Sequence, residues 1–190
     1  MSDFLPEGYK EPETSNYMSF EEGENTFRIL GKFTDGKAVM GQEYWKTVDG
    51  KRKPFRVSPE AKVCVEELEI DPRTGDLDMP KFFWALPVWN YSAKRIQILK
   101  INQKSIRKDI QKLVDNPKWG DPTEYDIVVN QAKEGKKTSY STFANPKEKI
   151  DGEVKKTYEA MTIDWQAYME SKDPFSNGAE DLAEEVSKKT

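Results

Sequence analysis

A mainly β fold with inserted helices, a C-terminal helix and flexible acidic ends is what this chain predicts, and three observations carry that reading. Short runs of β-branched and aromatic residues recur between turn signals, several with period-two alternation. Only residues 103–116 and 154–169 place apolar side chains at clear helical spacing. Charge is segregated: residues 1–24 hold one Lys against seven acids, residues 151–190 hold five Lys against ten, and the segment between is net +7.

The 190 residues suffice for one ordinary core. The expected organisation is a flexible lead-in over 1–16, an ordered domain over 17–146, a helical segment over 147–170 and an acidic tail over 171–190, disordered for want of apolar residues. Within the ordered domain, Phe27 and Ile29 alternate with Arg28 and Leu30, a strand that sets Arg28 at or near an exposed face. Asp49-Gly50 between two β-type runs is a hairpin signal. Its arms carry Trp45 and Phe55 beside Lys46, Lys51, Lys53, Arg52 and Arg56. A short helix is expected over 60–68, followed by an acidic island over 66–78, net −5, read as a solvated loop directed away from any polyanion.

Two nearly apolar strands follow, 81–91 and 94–101, with a bulge or bend expected at Pro87 because proline cannot donate to a ladder. Strict alternation sets Phe82, Trp84, Leu86 and Val88 on one face and Phe83, Ala85, Trp89 and Tyr91 on the other. Ile106, Ile110, Leu113 and Val114 define an amphipathic helix, with Ser105 as its N-cap and Pro117 as its stop. A strand at 125–130, a Glu134-Gly135 turn and a partner strand at 136–143 complete the domain, with Lys136 and Lys137 close to Tyr140. In the C-terminal helix, Tyr158, Met161, Trp165 and Tyr168 read as a packing stripe. Strands with one helix before the last pair fit an OB-fold-like β-barrel, whose open face accepts oligonucleotides. Another small β-barrel fits the pattern almost as well.

Composition narrows the chemistry. The chain has no histidine and a single cysteine, Cys64, so histidine-based serine or cysteine hydrolysis is excluded and the usual zinc ligands are missing. No enzyme activity, metal or cofactor is expected, although a Mg²⁺-dependent nuclease using acids such as Asp121 and Asp126 is a reading to be tested. One cysteine cannot form a disulfide within the chain, the N-terminus lacks a signal-peptide pattern and no apolar run has membrane-span length, so an intracellular protein without a membrane partner is expected. Aromatics reach 12% in a chain only 36% hydrophobic, and rings beside cations are what a single-strand groove requires. The candidate DNA-binding set is Arg28, Trp45, Lys46, Lys51, Arg52, Lys53, Phe55, Arg56, Trp84, Trp89, Tyr91, Lys94, Arg95, Lys136, Lys137 and Tyr140. For the hairpin, the alternative is a lysine-rich edge that only prevents aggregation.

The run from Glu21-Glu22-Gly23-Glu24-Asn25 to Thr26-Phe27-Arg28-Ile29-Leu30, the strand with Phe83-Trp84-Ala85 and Trp89-Asn90-Tyr91, the step from Ile96-Gln97-Ile98-Leu99 into Gln103-Lys104-Ser105-Ile106, and Trp119-Gly120-Asp121-Pro122 through Tyr125-Asp126-Ile127 together resemble the single-stranded DNA-binding proteins of tailed bacteriophages. The resemblance covers about residues 17–145. It implies an OB-fold core that coats single strands during DNA replication, recombination and repair in the cytoplasm of an infected bacterial host. It also implies an acidic C-terminal tail that contacts replication or recombination proteins or competes with DNA. The cysteine and histidine zinc ligands and the basic N-terminal cooperativity segment of the T-even relatives are missing, which points to a zinc-free branch. Asp173-Pro174-Phe175 is similar to the acidic-Pro-Phe tip of bacterial single-strand binding proteins, but lies fifteen residues before the end. A homo-oligomer is left open. The competing reading is a protein-interaction module, a replication accessory or DNA-mimicking inhibitor acting through the acidic ends.

Overall fold

A computed structural model describes residues 15–175, so most of the lead-in and residues 176–190 of the acidic tail lie outside the described residues. The strands are β1 Tyr17–Met18, β2 Gly23–Ile29, β3 Val39–Val48, β4 Lys51–Val57, β5 Lys81–Asn90, β6 Arg95–Ile101, β7 Asp126–Glu134 and β8 Lys137–Ala144. The helices are α1 Lys104–Asp115, α2 Gly152–Ala160 and α3 Trp165–Met169.

All eight strands join one sheet, in the order β1-β6-β5-β2-β7-β8, with β3 on β5 and β4 on β3. Every pairing is antiparallel except the short parallel contact of β1 with β6. The expected closed barrel is not formed: β8 pairs only with β7, so the sheet remains open. The hairpin at Asp49-Gly50 is as expected. Both turn residues have positive φ, 52° and 75°, the backbone that suits a two-residue connection between right-twisted strands.

β5 is the hub. Along one edge it pairs with β6 from Trp84 to Asn90; along the other it pairs first with β3, over Lys81–Ala85, and then with β2, over Val88–Asn90. The bulge expected at Pro87 does not occur, because the register to β6 runs through Pro87↔Ile98 without a slip. The Pro87 carbonyl accepts from Leu30 N at 2.8 Å. A residue's N and C=O share one edge of a strand, so the proline nitrogen faces the changeover between β3 and β2, where no ladder needs a donor.

The uninterrupted register preserves the predicted alternation. Leu86 and Val88 enter a core with Phe27, Ile29, Leu99, Ile101, Ile127 and Val129 beneath Ile106 and Ile110 of α1. Phe83 and Ala85 face the opposite side, where Ile98, Trp165 and Tyr168 form a second core under α3. Each large apolar side chain fully buried in these layers contributes about 1.5–3 kcal/mol.

Three local expectations need correction. Residues 60–68 form only a 3₁₀ turn at Val65–Glu67. Val65 is 63% exposed and none of residues 60–68 is buried, so little packing is available to hold a longer helix. The N-terminus of α1 is at Gln103 with no side-chain cap, and Ser105 lies inside the first turn. The helix expected over 154–169 breaks into α2 and α3, where Asp164 accepts from Ala167 N at 3.0 Å and restarts the helix. The break lets Trp165 and Tyr168 reach the second core, the packing role predicted for that stripe.

Candidate nucleic-acid interface

The predicted site residues separate toward opposite ends of the sheet. β3 runs antiparallel to β5 and continues past Lys81, carrying Trp45, Lys46, Lys51, Arg52, Lys53 and Phe55 to one end. β7 is parallel to β5 through β2, so its turn into β8, with Lys136 and Lys137, lies at the end where the β5–β6 turn carries Lys94. Lys51, Lys53, Lys94, Lys136 and Lys137 are exposed and have no ion-pair partner among the described residues.

Several other members are tied to the fold by hydrogen bonds or ring contacts, Tyr91 while 39% exposed. Arg28 is not at an exposed face: it is 2% exposed, donates from Nε to Asp126 at 2.7 Å and from Nη1 to the Thr123 carbonyl at 3.2 Å. β2 is an inner strand flanked by β5 and β7, so its polar side chain needs an internal partner. Tyr91 Oη donates to the same carboxylate at 2.7 Å; burial and then this bond push its phenol up to about 12. Trp89 stands edge-on to Tyr91, and Trp84 packs against the α1 core with its edge toward Phe33. Arg95 donates to Asn16 Oδ1 at 3.3 Å. Asp121 caps the turn at Pro122–Glu124 through Thr123 N and pairs with Lys32 at 2.9 Å. Both acids considered for a nuclease thus hold the fold together, and among the described residues no three His, Cys, Asp or Glu side chains are grouped so as to hold a metal.

The acidic island is exposed over most of its length, as a solvated loop would be, but it lies against the basic hairpin and buries Asp71 and Asp78. Four of its six carboxylates reach the hairpin: Glu67 is 3.7 Å from Lys46, Asp78 is 2.7 Å from Arg52, Glu69 accepts from Thr47 N at 2.7 Å and Thr47 Oγ1 at 2.8 Å, and Asp71, paired within the island to Arg73 at 3.1 Å, is 3.8 Å from Arg52. Thr47 lies opposite Arg52, on the stretch of β3 beyond its pairing with β5, so Glu69 caps an otherwise open strand edge. Lys46 also sits 5.4 Å from the centroids of both Tyr44 and Phe55, whose rings stack at 5.9 Å. Trp45, on the opposite face, remains 38% exposed.

The feature that brings rings and cations together is a groove of about 470 Å³ between the β1–β6 side and the β7–β8 side of the open sheet. Tyr17, Phe20, Tyr140 and Tyr168 supply its rings, Arg56 and Lys100 its cations, and Gln131 an amide. The Tyr140 and Phe20 rings are tilted at 56° with centroids 6.1 Å apart, and Tyr17 is 45% exposed. Arg56 lies 4.0 Å over the Tyr168 ring and donates to the Tyr168 carbonyl at 2.6 Å. Both cations share one acid: Glu43 accepts from Arg56 Nε at 2.9 Å and from Lys100 Nζ at 2.8 Å. Burial alone would raise the Glu43 carboxyl; the bonds and charges of Lys100 and Arg56 outweigh it and hold the group below its ordinary value. Two cations thus share one carboxylate beside the Tyr17, Phe20 and Tyr140 rings, with Asp173 also acting on Tyr17, while Tyr168, 1% exposed, is the core ring beneath Arg56.

Of the predicted set, this groove contains Arg56 and Tyr140. Sequence reasoning missed Tyr17, Phe20, Lys100 and Tyr168. Lys100 was the available signal, as a charge set between Leu99 and Ile101 after the mostly apolar run 96–99. No helix among the described residues is long and apolar enough to cross a membrane. No protein-family model matches this chain, and no curated protein matches it in sequence.

Proposed function

We propose that the chain is a non-enzymatic, sequence-non-specific single-stranded DNA-binding protein that protects single strands during phage DNA replication, recombination and repair in an infected bacterial cell. The observation that carries this reading is the groove, because rings that stack on any base beside cations that meet phosphates are what such binding needs. The order β6-β5-β2-β7-β8, with α1 between β6 and β7, is compatible with an OB-type sheet left open at its last ladder, and that supports the reading. The exposed lysines at Lys94, Lys136 and Lys137 extend the positive surface. Partner proteins would be met through the acidic C-terminal tail, most of which lies outside the described residues.

Titration with oligo-dT at low and high salt, followed by intrinsic fluorescence and by gel mobility shift, tests the proposal. Binding should be saturable, insensitive to base sequence and much weaker at high salt. Absence of a salt-sensitive shift together with unquenched fluorescence would overturn it and favour an interaction module acting through the acidic ends.

A further inference from the structure

We infer that the β3–β4 hairpin is a second strip for the phosphate backbone, and that the acidic segment 66–78 is its built-in occupant, displaced when a single strand binds. The proposal rests on the single-strand-binding function above and concerns how that function is regulated.

The groups that the segment occupies are those that phosphate oxygens take: the Lys46 ammonium, the Arg52 guanidinium, a backbone N–H and a hydroxyl at Thr47. Each is met by a carboxylate, so the segment presents a row of anionic oxygens along the hairpin much as a nucleic-acid backbone would. Arg52 Nε is buried without an acceptor, so even in the docked state the guanidinium is not fully satisfied.

The segment is held almost entirely by polar contacts. Two of its three aliphatic side chains face solvent, Ile70 at 63% and Leu77 at 38% exposure, as do the flanking Val65 at 63% and Met79 at 56%; Leu68 is half-buried, and its buried groups are otherwise the Asp71 and Asp78 carboxylates beside Arg52. Its internal order is a 3₁₀ turn, one isolated bridge between Ile70 and Leu77, and a few turn hydrogen bonds. A structural insert normally anchors itself by burying such residues; a segment that leaves them in water and relies on ion pairs can detach without breaking a core. Its hold weakens with salt, and a polyanion carrying many charges competes for the same cations. Beside it, Lys51 and Lys53 remain exposed with no ion-pair partner among the described residues, so an incoming strand has a foothold before the segment leaves.

Two measurements on the full chain test this. First, hydrogen exchange across residues 66–78 should accelerate when oligo-dT is added to the wild-type protein. Second, the variant E67Q/E69Q should bind oligo-dT several-fold more tightly than wild type at low salt, with the difference shrinking as salt rises. Both substitutions are at polar contacts outside the two cores, and glutamine at 69 retains an acceptor for Thr47, so the fold should survive. If wild type binds oligo-dT while exchange over 66–78 is unchanged or slower, or while E67Q/E69Q binds no tighter, the inference is overturned and the binding function stands. If neither protein binds oligo-dT, the function itself falls and the inference with it.

Discussion

In the groove, Arg56 and Lys100 share the single carboxylate of Glu43; on the hairpin, Lys46 and Arg52 face Glu67, Asp71 and Asp78, while Glu69 takes the neighbouring strand edge. The groove therefore sets two cations on one ion-paired carboxylate beside rings, with Asp173 acting on Tyr17, whereas the hairpin, richer in basic residues by sequence, has its inner cations matched and only Lys51 and Lys53 free of ion pairs among the described residues. The contact types also differ. Glu43 is 8% exposed and lies next to the second core, so its pairs support the fold; the hairpin pairs lie beneath a segment with exposed apolar side chains. Counting cations along a chain does not locate a binding surface, because what matters is the charge left after neighbouring acids have paired.

The largest effect that would sharpen this contrast is expected at Glu43. Replacing it with alanine strands two partly buried cations and should destabilise the fold by about 3 kcal/mol, read from the urea midpoint; a much smaller loss would mean that the triad is no more structural than the hairpin pairs. Its pH dependence has a defined sign. The folded carboxyl titrates below its ordinary value of 4.5, so its stabilisation is present above that pH and is lost as pH falls through the lower folded value. Urea midpoints for E43Q should therefore fall less steeply on acidification than those of wild type.

Next in size is Gly41. A Cβ there would collide with the Val57 carbonyl and crowd Met169, so G41A should cost about 2 kcal/mol by overpacking the junction of β3, β4 and α3. Thermal melts showing no loss would mean that α3 packs on the sheet more loosely than the second core implies.

For binding, Y140A should weaken oligo-dT affinity about tenfold, the equivalent of one lost base stack, with Y140F close to wild type. The smallest effect belongs to K51A/K53A: a reduction of about two- to threefold at low salt, with the slope of log affinity against log salt shallower by about 2. If the hairpin change exceeded the Tyr140 change in fluorescence titrations, the ranking of the two regions would be reversed.

Much of the fold was legible in the chain. The hairpin at Asp49-Gly50, the paired apolar strands around Pro87, helix α1 and the β7–β8 hairpin were all marked by local signals, because turn chemistry and periodicity act over a few residues. The candidate site was much less legible. Arg56 and Tyr140 were picked out, but they meet Tyr17, Lys100 and Tyr168 only because five distant segments converge on one side of the open sheet. Arg28 looked exposed because alternation says which residues share a face; it does not say that Asp126 lies across the next strand.

By itself, then, the sequence determined a mainly β domain, the faces of its central strands and the segregation of its charge, since each depends on spacing and residue type within short windows. Only the tertiary structure decided that the sheet stays open, that Pro87 sits where the neighbouring strand changes, and that the acidic island lies against the basic hairpin. Those outcomes depend on contacts between residues far apart in the chain, where ion pairing and strand-edge satisfaction compete and no local pattern records which wins.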